Sequence, residues 1–401
     1  MDVSSFSSED QMTNYVHAGV TPDPLTGAIT KPIYQSTTYV QESVEQYLQK
    51  GYSYSRSGNP TVRALEERMK TVEKGADAAC FSTGMAATVT VLTAFLSAGD
   101  HCIMPICLYG GSYRAANEYV RRFGVEFDFV DFREPAQVEK AFKPNTKMVF
   151  AETPANPTLH LTDLAAIDMI IAKKELERQQ SNKKATESSS SSEDAVSEEE
   201  LLKSLSGGKR EKERSILFVV DSTFATPEII HPFEYGADII LHSTTKYFDG
   251  HNITTGGAAI SRFIKLHDKI AYTRNICGSI MDPQTAFYTL NSSMTLPLRI
   301  QRQSKRLMNT VGKPFSLCEN LGSAQSLITC PAVFTHAQLT PEQRLAIGVT
   351  DGYIRLSIGL ESPKDLVEAL DKADGYIRLS IGLESPKDLV EALDKALKDL
   401  P

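Results

Sequence analysis

The sequence has no surplus of positive charge: 42 Lys and Arg stand against 50 Asp and Glu, a formal net charge of −8. A chain of that sign has no overall attraction to nucleic acid or to an anionic membrane surface, so a small-molecule ligand is the expected partner. No run approaches the roughly 20 apolar residues of a membrane span. The opening "MDVSSFSSEDQM" holds neither the basic nor the apolar region of a secretory leader, and a cytoplasmic location is expected. The six cysteines, at 80, 102, 107, 277, 318 and 330, never fall into the paired spacing of a zinc site. A chain this long needs no disulfides to hold a core, so reduced, mostly buried thiols are expected. His231, His242 and His251 also lack a ligand spacing, and GxGxxG is absent; metal hydrolysis and an NAD-type site find no support, and no metal is expected.

What the sequence does contain is an alternation. Apolar runs rich in β-formers ("DAACFSTG", "DHCIMPI", "KMVFAETPA", "SILFVVDSTF", "ADIILHSTT") are interleaved with helical stretches such as "MAATVTVLTAFLSAG" and "LTDLAAIDMIIAKKELERQ". Strands apolar throughout and separated by helices read as βαβ units, hence an α/β fold whose mostly parallel sheet is covered on both faces. In such sheets ligands collect beyond the carboxyl ends of the strands, which is where the polar oddities of this sequence fall.

Two segments break the pattern. Residues 179–214 read "QQSNKKATESSSSSEDAVSEEELLKSLSGGKREKER", too poor in apolar groups to offset their ordering entropy, and are expected to be a disordered surface insertion. The second is "DGYIRLSIGLESPKDLVEALDKA", which occupies 351–373 and recurs letter for letter at 374–396. Two identical copies read as a duplication rather than as a structural repeat, each copy a strand followed by a helix that Pro opens.

The chemistry centres on "LHSTTKYFDGHNITTGG", in which Lys246 follows three hydroxyl side chains. A lone lysine at a strand end is usually only solvated. Here the neighbouring strand ends carry what a pyridoxal phosphate enzyme needs: an amine for a Schiff base, donors for a dianion, a carboxylate for the pyridinium and an aromatic over the ring. The turn "FSTGMAAT" would bring the amides of Gly84 and Met85 to a phosphate at a helix start, joined by Ser243 and Thr245. Asp221, closing the buried run "FVVD", would need a cation such as a protonated pyridine. Tyr109 in "CLYGGSY" is the stacking candidate.

Together "YSYSRSGNPTVRALEERM", "FSTGMAAT", "LYGGSYR", "AETPANPT", "VVDSTF", "GADIILHSTTKYFDGHN" and "GYIRLSIGLE" resemble the cystathionine γ-lyase, γ-synthase and methionine γ-lyase family of fold-type I pyridoxal phosphate enzymes. The resemblance runs from about His17 to Leu360. It implies an aspartate aminotransferase-like fold with an N-terminal arm over 1–60, a large cofactor-binding domain over 61–296 and a smaller α+β domain over 297–401. It makes Lys246 the Schiff-base lysine and proton shuttle, Asp221 the pyridinium partner with Thr223 beside it, Tyr109 the residue on the ring, and Asn156 the neighbour of the ring hydroxyl. Tyr54 and Arg56 would complete the neighbouring subunit's phosphate site, so a homotetramer built from catalytic dimers is implied. Arg355, or its duplicate Arg378, would bind the substrate α-carboxylate through a planar two-pronged contact, with Arg355 preferred.

The activity this implies is α,γ-elimination of L-cystathionine to cysteine, 2-oxobutyrate and ammonia; the alternative is γ-replacement on an activated homoserine. Glu319 leans toward γ-chemistry, and Gly111, where methionine γ-lyases carry cysteine, leans away from that subtype. Departures are Asn320 where relatives have serine, Ser222 where they have asparagine, and the short join "NTVGKPFSL" where they carry several tens of residues. Loss of core strands there would leave a cofactor-binding but catalytically impaired scaffold, a further alternative.

Overall fold

A computed structural model describes residues 9–186, 204–208, 210, 212–307, 316–317, 319–350 and 353–361. The sheet strands are β1 (Asp77–Phe81), β2 (His101–Pro105), β3 (Glu126–Val130), β4 (Thr146–Glu152), β5 (Leu217–Asp221), β6 (Ile239–His242) and β7 (Gly257–Ser261). They form one sheet in the order β1-β7-β6-β5-β4-β2-β3. β6, β5, β4, β2 and β3 run parallel, while β7 is antiparallel to both β6 and β1.

Alternate residues of each strand face opposite sides, and both sides are apolar. One face carries Cys80, Ile103, Val149, Phe218, Val220 and Ile240, packed with Leu65, Met69, Ile167 and Ile171. The other carries Phe81, Met104, Phe150, Val219 and Leu241, packed with Val91, Leu92 and Ile270. The covering helices obey local rules. Helix α2 (Pro60–Glu73) follows α1 (Glu9–His17); the side chain of Asn59 caps it by accepting from the Thr61 and Val62 amides, and Pro60 sits where no N–H is needed. Helix α2 stops at Lys74, in the left-handed region at φ 59°. Helix α3 (Gly84–Phe95) packs on the opposite face.

A second sheet, in the order β10-β9-β8, consists of β8 (Ser316–Leu317), β9 (Leu327–Thr329) and β10 (Arg355–Ser357). β10 lies antiparallel to β9 with Arg355 opposite Thr329. The first copy of the duplicated unit thus supplies a strand where one is expected. Its helix, the second copy at 374–396 with Arg378, and Cys318 lie outside the described residues.

The serine-rich segment differs from expectation at both ends. A helix, Leu164–Thr186, runs eight residues past Arg178 into it. At the far end Arg210 and Arg214 are buried: Arg214 bonds Asp168 at 2.6 Å and Asp238 at 3.1 Å, and Arg210 bonds Asp238. Composition counts these arginines as solvated, but Asp168 on the helix Leu164–Thr186 and Asp238 just ahead of β6 offer them paired, hydrogen-bonded places inside. Of the five described cysteines, Cys80, Cys102 and Cys107 are buried, Cys330 is half-buried and Cys277 is exposed. Among the described residues no helix is long and apolar enough to cross a membrane.

Candidate active site

Between β1 and α3 the chain turns through Thr83, extended at φ −151° and ψ 162°, whose hydroxyl accepts the Ala86 amide at 3.0 Å. The next two amides, Gly84 and Met85, belong to the first helical turn, which no preceding turn can satisfy. Glycine is required at two contacts here. A Cβ on Gly84 would lie 2.8 Å from Ser243 Cβ, and one on Gly257 would lie 2.4 Å from the Thr83 carbonyl oxygen. The helix start and the end of β6 therefore close on each other, making a small cradle of amides and hydroxyls. Ser243 hangs on Thr223, whose hydroxyl accepts the Ser243 amide at 2.9 Å. Thr245 lines the same cavity, with its hydroxyl exchanging hydrogen bonds with the Gly256 backbone at 3.0 and 3.2 Å.

Adjacent strands β4 and β5 each end in a carboxylate, Glu152 and Asp221, opposite one another in register. Asp221 accepts the Thr223 amide at 3.0 Å and faces the cavity. Burial raises its carboxyl above the usual carboxylate range, against the pull of the Thr223 hydrogen bonds. Glu152 is 4% exposed; Oε2 accepts the Tyr109 amide and Oε1 the Asn156 amide, each at 2.7 Å. Burial first, and then the charge of Asp221, push Glu152 up to about 8. The sequence reading passed over Glu152. The signal was there: "KMVFAE" ends an apolar strand in an acid just as "LFVVD" does.

Lys246 sits at the start of the turn that follows β6. That turn is built by Asp249, which accepts from the His251 and Ile253 amides and the Thr254 hydroxyl, and by Arg299, which donates to the Tyr247 carbonyl at 2.7 Å. The lysine Nζ donates to Asn320 Oδ1 at 2.5 Å, and the Asn320 amide nitrogen donates to Asn252 Oδ1 at 2.6 Å. Arg355, 3% exposed, donates to Asn156 Oδ1 at 2.6 Å and to the Asn320 carbonyl at 3.3 Å. His336 docks the segment leading to β10 on the turn after β2, its Nε2–H meeting the Leu108 carbonyl at 3.3 Å, and burial drops its imidazole to about 4.

One cavity of about 270 Å³ gathers Gly84, Met85, Tyr109, Asn156, Asp221, Thr223, Ser243, Thr245, Lys246 and Glu319. Asn320 and Arg355 stand behind its wall, joined to Lys246 and Asn156. Tyr54 and Arg56 are elsewhere: Arg56 lies 5.6 Å from the Tyr54 ring and donates to Asn275. Arg114, His242, Phe334 and Thr335 also line the cavity, and the sequence reading named none of them for the site. The residues fit pyridoxal phosphate, since the cradle offers donors for a dianion, Asp221 offers an anion for a ring cation, and Lys246 lines the same cavity.

The family model described as Cys/Met metabolism PLP-dependent enzyme matches residues 12–178, 208–311 and 304–374. The chain belongs to that family. Its matches break at 179–207, within the serine-rich segment, and the second and third overlap at 304–311, beside the short join. Cystathionine gamma-lyase of Bacillus subtilis is 33% identical over 414 residues, covering 90% of this chain and 98% of that protein. Cystathionine beta-lyase of Coxiella burnetii is 34% identical over 417 residues, covering 90% and 97%. The crystal structure of cystathionine gamma synthase from Xanthomonas oryzae pv. oryzae in complex with cystathionine superposes with a TM-score of 0.73 at 29% identity, covering 98% of this chain and all of that one. This member of the Cys/Met metabolism family is therefore an enzyme of fold type I with pyridoxal 5'-phosphate as its cofactor.

Proposed function

We propose that this enzyme carries out α,γ-elimination, converting L-cystathionine and water to cysteine, 2-oxobutyrate and ammonia. The observation that carries the reading is the convergence of Lys246, Asp221 and Glu319 on a single cavity. Pyridoxal phosphate, when bound, supplies the electron sink that makes the substrate's Cα and Cβ protons removable. The chain's own groups would do the rest. The Gly84 and Met85 amides and the Ser243 hydroxyl would hold the phosphate, Asp221 would serve the ring nitrogen, Asn156 the ring hydroxyl, and Tyr109 would cover the ring. Lys246, released from Asn320, would take the Cα proton, pass it on, and then take a Cβ proton, whose electron pair forms the Cβ–Cγ double bond as the Cγ–S bond breaks and the thiolate leaves. Arg355 orients the substrate α-carboxylate.

Gly111 supports a preference against methionine γ-lyase chemistry. A Cβ there would lie 2.4 Å from Tyr109 Cε1 and 2.8 Å from Met85 Sδ, so a cysteine would displace the stacking ring. γ-Replacement stays as the second reading, favoured by the likeness to the synthase bound to cystathionine. The position of Arg355, on a formed strand and in reach of Asn156, weighs against the impaired scaffold.

The deciding experiment records the visible spectrum of the purified protein and then adds L-cystathionine. Equal amounts of 2-oxobutyrate and cysteine are expected, with the cofactor band lost in Lys246→Ala and the KM raised about a hundredfold or more in Arg355→Ala. Product only from an activated homoserine plus cysteine would establish the synthase, and a band that no amino acid perturbs would establish the scaffold.

A further inference from the structure

We infer that Glu152 is a positioning residue of the cofactor site, a two-pronged carboxylate clamp that holds Tyr109 and Asn156 at a set separation across the ring. The inference rests on the cofactor reading above and extends it to a carboxylate that lines the same cavity and acts through the two residues it holds.

Tyr109 follows β2 and Asn156 follows β4, neighbouring parallel strands whose ladder ends before either residue. Glu152 joins what lies beyond the ladder, each carboxylate oxygen taking one amide at 2.7 Å. The geometry selects the chemistry. Two converging N–H donors require two acceptor atoms, which the ionised carboxylate has, whereas a protonated acid or a glutamine would turn a donor toward one of the amides. The clamp is continued on the far side. Asn156 is gripped at its backbone by Glu152 and at its side chain by Arg355, and Arg355 in turn bonds the Asn320 carbonyl beside Lys246. Glu152 thus begins a hydrogen-bonded path from the stacking tyrosine through the ring-hydroxyl neighbour to the substrate arginine and the lysine.

A carboxylate this buried costs stability, and Asp221 beside it adds repulsion, as its raised pKa reflects. A carboxylate of purely structural value would be better placed away from Asp221. The pair becomes favourable when a cation meets Asp221, which couples the clamp to the cofactor.

The test compares wild type with Glu152→Gln, both reconstituted with pyridoxal phosphate. It reads three quantities: the cofactor dissociation constant, the visible circular dichroism per bound cofactor, and the unfolding temperature without cofactor. The variant is expected to bind the cofactor roughly tenfold to a hundredfold more weakly and to show a reduced or inverted dichroic band, because the ring is no longer held at one angle. A lowered unfolding temperature with an unchanged band per bound cofactor would reduce Glu152 to a structural cap and overturn the inference. If that variant fails to fold, Glu152→Asp, which keeps both acceptor oxygens on a shorter arm, is read in the same way: a reduced or inverted dichroic band per bound cofactor sustains the clamp, and an unchanged band overturns it. A wild-type protein with no cofactor band removes the cofactor reading and this inference together. A wild-type band with an unaffected variant removes this inference alone.

Discussion

At the scale of single residues, the site is a set of polar groups placed where each would be costly without the others. Asp221 and Glu152 are the sharpest case. Glu152 is raised in the folded chain from 4.5 to about 8, so the folded protein binds that proton more tightly than the unfolded chain does. Its contribution to stability is fully present below the unfolded value and is lost as pH rises through the folded one. Without cofactor, Glu152→Gln is therefore expected to gain on wild type in unfolding temperature as pH goes from about 5 to about 8.5. A difference independent of pH would show that the carboxyl titrates normally. Asn320 makes the opposite point. Its amide gives Lys246 an acceptor at 2.5 Å, and the same side chain reaches Asn252.

At the scale of elements, the strand ends do the positioning and the connections do the bracing. The cradle exists because α3 begins directly against the end of β6 and the start of β7, which Gly84 and Gly257 permit. The bracing least expected from composition is the arginine pair that closes the serine-rich segment. Arg214, with no side-chain exposure, holds Asp168 in the helix Leu164–Thr186 and Asp238 ahead of β6, and also donates to the Gly236 carbonyl at 2.9 Å. Removing one partner of a buried pair strands the other charge. Arg214→Ala is accordingly expected to cost about 3–5 kcal/mol in denaturant unfolding, whereas truncation of an exposed pair such as Lys265 with Glu213, 3.2 Å apart, should cost under about 1 kcal/mol.

At the scale of the whole molecule, the segment between α1 and α2 is not self-sufficient. Leu25, Ile29, Val40 and Val44 are each more than 80% exposed, a concentration of bare aliphatic surface that calls for a covering partner. Tyr54 and Arg56 belong to the same segment and lie away from their own chain's cavity. Both facts support an arm that completes a second copy's site. Mixing Lys246→Ala with Arg56→Ala subunits tests it, because a mixed dimer holds one site with both native residues. After subunit exchange, activity is expected to return to about a quarter of the wild-type level. No recovery, with mixed dimers verified by mass, would place Arg56 outside the site.

The alternation of apolar strands and helices and the motifs at strand ends were legible in the sequence because each depends on neighbours a few residues away. β1, β2, β4, β5 and β6 lie where the apolar runs put them. β3 and β7 escaped notice, and β7, the short run "GAAIS", reverses direction between β1 and β6. Its place follows from pairing with strands far off in sequence, which periodicity does not encode. The same holds at the site. Lys246, Asp221 and Gly84 could be singled out from their own surroundings. Arg355 meeting Asn156 across 199 positions, Glu152 bridging two turns, and Arg214 finding two aspartates are contacts of the folded chain alone. The reason is that a polar side chain's partner is chosen by which loops the sheet brings together, and that is decided only when the strands have taken their order.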